Sequence, residues 1–232
     1  TKLMKNKINH ALIMAAGRGL RMMPLTNKIP KAMAPLNQST LIAEALKKYK
    51  KKIKNLHITV GYKGSLLAKH VIEFGVSSII NTEGKGNAWW VYNSLLKNLD
   101  EPIIVATCDN IFNMNLSQYE EDYFKFNSPA CMIIPAKPTI NLEGDYISIK
   151  NKNVTNISRN IKSKYYCSGI QILNPKKINN ITKKNQNFYK LWNQLIELNE
   201  IYCSKRLIKN WFAIDNLKQL QIANKNKIKI EI

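Results

Sequence analysis

The residues best suited to chemistry lie in Met14-Ala15-Ala16-Gly17-Arg18-Gly19-Leu20-Arg21-Met22-Met23-Pro24-Leu25-Thr26-Asn27-Lys28-Ile29-Pro30-Lys31, which continues to Pro35. Glycines at 17 and 19 let the backbone approach a phosphate chain closely and offer it N–H donors. Arg18, Arg21 and Lys31 add positive charge around the same turn. The spacing is not a dinucleotide fingerprint, because Met22 stands where the third glycine belongs, and no Gly-Lys-Ser/Thr follows to make a Walker loop. Two carboxylates stand apart from this stretch. Asp109, in Thr107-Cys108-Asp109-Asn110, ends an apolar run. An Asp at the carboxyl end of a strand can hold a metal, or it can cap a helix. Asp215 follows Trp211-Phe212-Ala213-Ile214 and, taken alone, is a cap for the last helix.

These residues need a scaffold, and the hydrophobic pattern supplies one. Residues 11–15 form a compact apolar run ended by glycine, which suits a buried strand. Helical spacing follows over 41–49, 66–74, 87–96 and 116–126, alternating with strands at 56–60, 76–80, 103–106 and 130–135. Repeated βα units predict a largely parallel sheet with helices on both faces. From there strands follow closely at 146–149, 154–157 and 165–173, a mixed or antiparallel extension. A helix over 188–198, a short strand over 206–208 and a helix over 217–223 complete the pattern. The tail, 225–232, alternates Lys and Ile as an edge strand or a frayed end. No repeat, Pro/Gly-rich linker or composition break divides residues 1–232, so one domain is expected.

Composition narrows the classes. The 232 residues are 45% hydrophobic and 22% charged, which excludes collagen, disorder and coiled coil. No run is long and apolar enough for a membrane helix, so no membrane partner is expected. The net charge of +21 invites a nucleic-acid reading. Yet only Arg18, Arg21, Arg159 and Arg206 among the 36 basic residues are arginine, the side chain suited to bidentate readout. A solvated lysine-rich surface is preferred over a nucleic-acid interface, and the same field favours a phosphate-bearing metabolite. Cys108, Cys131, Cys167 and Cys203 are widely spaced, without metal-ligand partners, and read as buried reduced thiols of a cytoplasmic protein. The lysine-rich start mimics an export signal, but its apolar stretch is short and leads into the glycine turn; it reads as a first strand.

The 14–35 stretch resembles the signature of the sugar-phosphate nucleotidylyltransferases, A-A-G-x-G-x-R-x-x-P-L-T-x-x-x-P-K, with every fixed position met. The resemblance implies a Rossmann-like α/β/α three-layer fold with a mixed, mostly parallel sheet. It implies transfer of NMP from an NTP to a small phosphorylated molecule, with pyrophosphate released. Ala15, Ala16, Gly17, Arg18 and Gly19 would then wrap the nucleotide, with Arg21 and Lys31 neutralising its phosphates as catalytic residues beside Asp109. Asp109 and Asp215 together resemble the family's Mg²⁺-binding aspartates; a few carboxylates with phosphate oxygens and water suit that ion.

Gly61-Tyr62 resembles a V-G-Y element on the nucleotide side. Glu83-Gly84-Lys85-Gly86-Asn87-Ala88 resembles the G-T-G-G-A-type loop that reads the base through backbone groups and Asn87, and it is also a plain turn into a helix. Trp89 and Trp90 follow, as a stacking platform or as core aromatics. On the acceptor side stand Asn110, Arg159, Lys162 and Ser168-Gly169, with Lys162 the first choice and Arg159 the second for the acceptor phosphate. The Glu-Lys-Pro of hexose 1-phosphate enzymes is absent. The spacing from Val154 to Gly169 and the ending Ile214-Asp215-Asn216 look more like bacterial phosphocholine cytidylyltransferases. The favoured acceptor is a sugar phosphate for surface-glycan or cell-wall assembly, with a CTP-dependent enzyme for phosphocholine or a similar phosphate as the alternative. The nucleophile is already an anion, so His10, His57 and His70 are assigned no catalytic role. A homodimer is compatible with this reading.

Overall fold

A computed structural model describes residues 7–139 and 143–232; the lysine-rich first residues lie outside the described ones. The first half alternates as the pattern requires: β1 (His10–Met14), α1 (Leu41–Tyr49), β2 (Asn55–Val60), α2 (Gly64–Ile72), β3 (Ser78–Asn81), α3 (Trp89–Asn93), β4 (Ile103–Thr107), β5 (Asn110–Asn113), α4 (Leu116–Lys125) and β6 (Cys131–Ala136). Then come β7 (Tyr146–Lys150), β8 (Asn153–Ser158), β9 (Tyr165–Leu173), α5 (Pro175–Ile181), α6 (Phe188–Glu197), β10 (Ile201–Cys203), β11 (Lys209–Ala213) and α7 (Leu217–Lys225). Between β1 and α1 the chain makes short helical turns at Leu20–Met22, Leu25–Lys28 and Lys31–Met33.

Among the described residues nine strands make one sheet in the order β3-β2-β1-β4-β9-β6-β10-β8-β7. The first four are mutually parallel. Beyond β4 the pairings are antiparallel, apart from β10 on β6. Side chains alternate between the sheet's two faces, as the period of two demands. Ala11, Ile13, Ile104, Ala106, Met132 and Ile134 join α1, α2, α4 and α7 in one core. Leu12, Ile103, Val105, Cys131 and Ile133 join α3, α5 and α6 in the other.

Several boundaries differ from the sequence reading. The helix expected over 87–96 ends at Asn93, because the Ser94 hydroxyl accepts from Leu96 N–H and starts a tighter turn. The strand expected over 206–208 lies instead at Lys209–Ala213. Arg206 is anchored to Asp122 and Glu121, and the Ile208 N–H donates to Pro135 O. The tail ends in a bridge: Glu231 N–H donates to Phe112 O, and Glu231 O accepts from Met114 N–H. Cys108, Cys131 and Cys203 are buried thiols, while Cys167 is half-buried.

Candidate active site

Strand order fixes where a ligand can sit. The chain runs outward from β1 to β2 and β3, then returns to place β4 on the other side of β1. That reversal opens a crevice at the carboxyl ends of β1 and β4, the usual ligand position in open α/β sheets. The glycine turn leaves β1 there, and Thr107-Cys108-Asp109 leaves β4. The Cys108 N–H donates to Met14 O at 3.1 Å, which clamps the two segments together.

A cavity of about 500 Å³ occupies the crevice. Among the expected nucleotide residues Ala16, Gly17, Arg18, Gly61, Tyr62, Glu83, Gly86 and Asn87 line it, with Lys31 and Asp109 at one end. Tyr62 is built into its wall: its N–H donates to Ala16 O at 3.2 Å, its hydroxyl to Thr26 O at 2.9 Å, and Arg18 lies 5.1 Å over its ring. A side chain at Gly61 would stand 2.8 Å from Ala16 O, so glycine is needed for the close approach. Gly19 has φ +70°, and a Cβ there would meet Lys31 Cβ at 2.7 Å. Its role in this fold is to let the Lys31 stem cross the turn.

The charged cluster is assembled from three distant segments. β5 pairs with β11, with Asn110 opposite Ala213, and the Ile214 N–H donates to Asp109 O at 2.9 Å. This brings Asp215 beside Asp109. Asp215 does not cap the last helix, because the Asn216 side chain accepts from Gln219 N–H. The Asp215 carboxylate is thereby left for the site. Lys31 Nζ donates to Asp109 Oδ2 at 2.5 Å and to Asp215 Oδ1 at 3.0 Å, and Arg21 Nη2 lies 3.2 Å from the same Asp215 oxygen. Lys31 is only 9% exposed. Burial by itself would lower its pKa; the Asp109 carboxylate, with smaller help from Cys108 and Asp215, outweighs this and raises it. The ammonium is therefore secure at neutral pH. Burial, reinforced by Asp109, pushes the Cys108 thiol up to about 12, which makes it a poor nucleophile.

The pair fits a hard divalent cation. Two carboxylate oxygens converge on one point, held here by an ammonium, and Mg²⁺ takes few carboxylates with phosphate oxygens and water. No group of three or more His, Cys, Asp or Glu that could hold a metal gathers among the described residues, so phosphate and water oxygens would have to complete the shell.

Other expected residues are placed differently. Ala15 is buried, and its N–H is spent on Thr59, so it braces the strand end and not the cavity. Asn87 lines the cavity, but its Oδ1 accepts from Phe188 N–H and holds the start of α6. On the acceptor side, Asn110 is buried with its Nδ2 donating to Ser168 O at 2.9 Å, and Ser168 is fully buried with its hydroxyl on Ile134 O. Gly169, at φ +80°, leaves room for the Asn110 amide, which a Cβ would meet at 2.3 Å. These three are a structural clasp under the site. Arg159 Nε is paired with Asp145 at 3.0 Å, and Lys162 is exposed in the turn before β9 without an ion pair among the described residues. Neither lines the cavity.

The sequence reading missed Gln186. The Gly86 N–H donates to Gln186 Oε1 and the Ala88 N–H to Gln186 O, across 100 residues of chain. It also missed an aromatic group beside the clasp. Tyr146 and Tyr166 rings stand 4.6 Å apart, Tyr166 and Trp211 6.2 Å apart, and Trp211 Nε1 donates to Ser168 O.

The family model described as nucleotidyl transferase matches residues 10–207. The bifunctional protein GlmU of Methanococcus aeolicus is 29% identical over 117 residues, 50% of this chain and 28% of that protein; the chain thus spans about a quarter of that relative. Among solved structures, one described as a glucose-1-phosphate thymidylyltransferase of Bacillus anthracis matches with a TM-score of 0.78 at 20% identity, covering 96% of each chain. The inositol-1-phosphate CTP transferase of T. maritima matches with a TM-score of 0.74 at 14% identity, covering 97% of this chain and 98% of that one. The CTP:phosphocholine cytidylyltransferase of Streptococcus pneumoniae matches with a TM-score of 0.72 at 19% identity, covering 94% and 98%. These likenesses show the fold.

Proposed function

From the premise that the chain belongs to the nucleotidyl transferase family, we propose that it transfers NMP from an NTP to the phosphate of a small phosphorylated metabolite, releasing pyrophosphate. The observation that carries this reading is the Lys31–Asp109–Asp215–Arg21 cluster at the end of a glycine-walled cavity. An acceptor phosphate oxygen attacks the α-phosphorus in line, and the bond from that phosphorus to the bridging oxygen of pyrophosphate breaks. The attacking oxygen is already anionic, so no general base is required. The chain supplies position and charge. Lys31, kept protonated, and Arg21 turn from the carboxylates to the phosphates. Gly17 and Gly61 give the nucleotide close backbone approach. A Mg²⁺ on Asp109 and Asp215 supplies charge neutralisation at the reacting phosphates when bound.

The favoured acceptor is a sugar 1-phosphate, of the kind used in surface-glycan assembly. A second reading, a CTP-dependent enzyme acting on phosphocholine or a similar cationic phosphate, is supported by the aromatic group of Tyr146, Tyr166 and Trp211, since aromatic faces suit a quaternary ammonium. The test is thermal stability with CTP, UTP, GTP, ATP and dTTP, each with and without Mg²⁺. It is followed by product formation from the stabilising NTP with glucose 1-phosphate or phosphocholine. Stabilisation by one NTP with pyrophosphate release is expected; no stabilisation by any of the five counts against the reading.

A further inference from the structure

Two irregular strands meet beside the carboxylate pair. In β9, Cys167 pairs with Pro135 and Ile170 with Ile134, so Ser168 and Gly169 are extra residues on that strand. In β11, Lys209 pairs with Asn113 and Phe212 with Ile111, so this strand also carries an extra residue, and Asn210 adopts φ +51°. Such bulges re-aim side chains and gather next to active sites. Here the two are joined: Trp211 Nε1, from the irregular stretch of β11, donates to Ser168 O, in the irregular stretch of β9, at 2.8 Å.

The same carbonyl takes a second bond. Asn110 Nδ2 donates to it at 2.9 Å, and also to the Thr107 hydroxyl. Ser168 is fully buried, and its hydroxyl donates to Ile134 O and accepts from Ile170 N–H, so the carbonyl is fixed in direction. The two donors sit where they matter. Asn110 follows Asp109, and Trp211 lies on the strand that runs into Asp215. One buried oxygen thus ties both carboxylate-bearing segments to a third strand, at the point where the β5–β11 ladder loses its regular register.

We propose that Ser168 O sets the spacing of Asp109 and Asp215, and that Trp211 is a positioning residue for the divalent cation they hold. This rests on the nucleotidyl-transfer reading above, with the carboxylate pair as its cation site. Trp211 acts through its strand: the indole bond keeps β11 placed so that both carboxylates converge on one ion. Coupling of this kind is reciprocal. If the indole bond favours the spacing the cation needs, the bound cation strengthens the indole bond.

Trp211→Phe keeps an aromatic ring against Tyr166 and removes the donor. Mn²⁺ binding without nucleotide, read by paramagnetic resonance, is expected to weaken about fivefold. The Mg²⁺ concentration for half-maximal rate should rise to match, with the KM for the acceptor phosphate unchanged. A second measurement does not depend on the variant folding. In wild-type protein carrying ¹⁵N-tryptophan, exchange of the Trp211 indole proton with water should slow severalfold when Mg²⁺ and the stabilising NTP are added. The Trp192 indole, which donates to Gln171 Oε1 at 3.0 Å, is the internal control and should not respond. Wild-type cation affinity in folded Trp211→Phe, a raised acceptor KM with unchanged cation affinity, or a Trp211 exchange rate indifferent to the ligands overturns the proposal while leaving the family reading standing. Wild-type protein that binds neither Mn²⁺ nor any of the five NTPs overturns both.

Discussion

Replacing Gly19 tests whether the glycine turn serves Lys31. Its φ of +70° lies where an L-residue is strained, by about 1–2 kcal/mol. A Cβ there would stand 2.7 Å from Lys31 Cβ, 3.1 Å from Cγ and 3.2 Å from Cδ. Carbon atoms rest at about 3.5–4.0 Å, so the Lys31 stem must retreat by about 1 Å. It has little freedom to do so, being nearly buried and tied at Nζ to Asp109 and Asp215. Misplacing a positioning group by about 1 Å costs about a hundredfold in rate. Gly19→Ala is therefore expected to lower kcat about a hundredfold and to lower Tm by about 2–8 °C from the backbone strain. Gly17→Ala is the control: a Cβ there meets nothing within 4 Å, so Tm should hold and only KM for the NTP should rise. The assays are pyrophosphate release under saturating substrates and thermal denaturation followed by circular dichroism. Wild-type kcat in Gly19→Ala, or equal loss of kcat in both variants, would refute the reasoning.

Three more outcomes are expected. Gly86→Ala places a Cβ 1.9 Å from Gln186 O, so the loop must part from residue 186 and lose two hydrogen bonds; NTP-induced stabilisation should shrink severalfold, and undiminished stabilisation would show that Gln186 does not brace the base loop. Burial, with His10 adding to it, holds His57 at about 4, below its ordinary 6.5. The unfolded chain therefore takes up the proton first, and stability should be full above pH 6.5 and fall between 6.5 and 4. Denaturant melts across that range should show the fall, and His57→Asn should flatten it; equal slopes in both proteins would exclude His57 as the cause. Lys31→Met removes the ammonium from between two carboxylates, so Mn²⁺ without nucleotide should bind severalfold more tightly than to wild type, read by paramagnetic resonance; weaker binding would mean that the carboxylate pair is not the cation site.

Much of this was legible along the chain, where local chemistry decides. The helix over Leu41–Tyr49 has the expected boundaries because Thr40 caps it through Ala43 N–H and its apolar residues keep one face. The glycine turn was readable for the same reason: glycine at these positions answers a backbone requirement. What could not be read is long-range. Asp109 and Asp215 meet only because β5 pairs with β11, and that pairing leaves no mark in either segment. Gln186 gives no sign that it braces Gly86, and Arg159 gives none that Asp145 holds it. Helix α5 had a usable signal, Asn174 capping ahead of Pro175, and it was overlooked inside an Asn/Lys-rich stretch. The strand at Ile201–Cys203 is too short for its period to register.

The central claim is transfer of the α-phosphoryl group with its nucleoside. Incubating the protein with Mg²⁺, an acceptor phosphate and the stabilising NTP, labelled with ³²P at either the α or the γ position, tests it most directly. The account predicts α-label in a nucleoside-diphosphate-linked acceptor and γ-label in pyrophosphate, with both lost in Asp109→Asn. Label passing to the acceptor from the γ position, or appearing as orthophosphate, would contradict it.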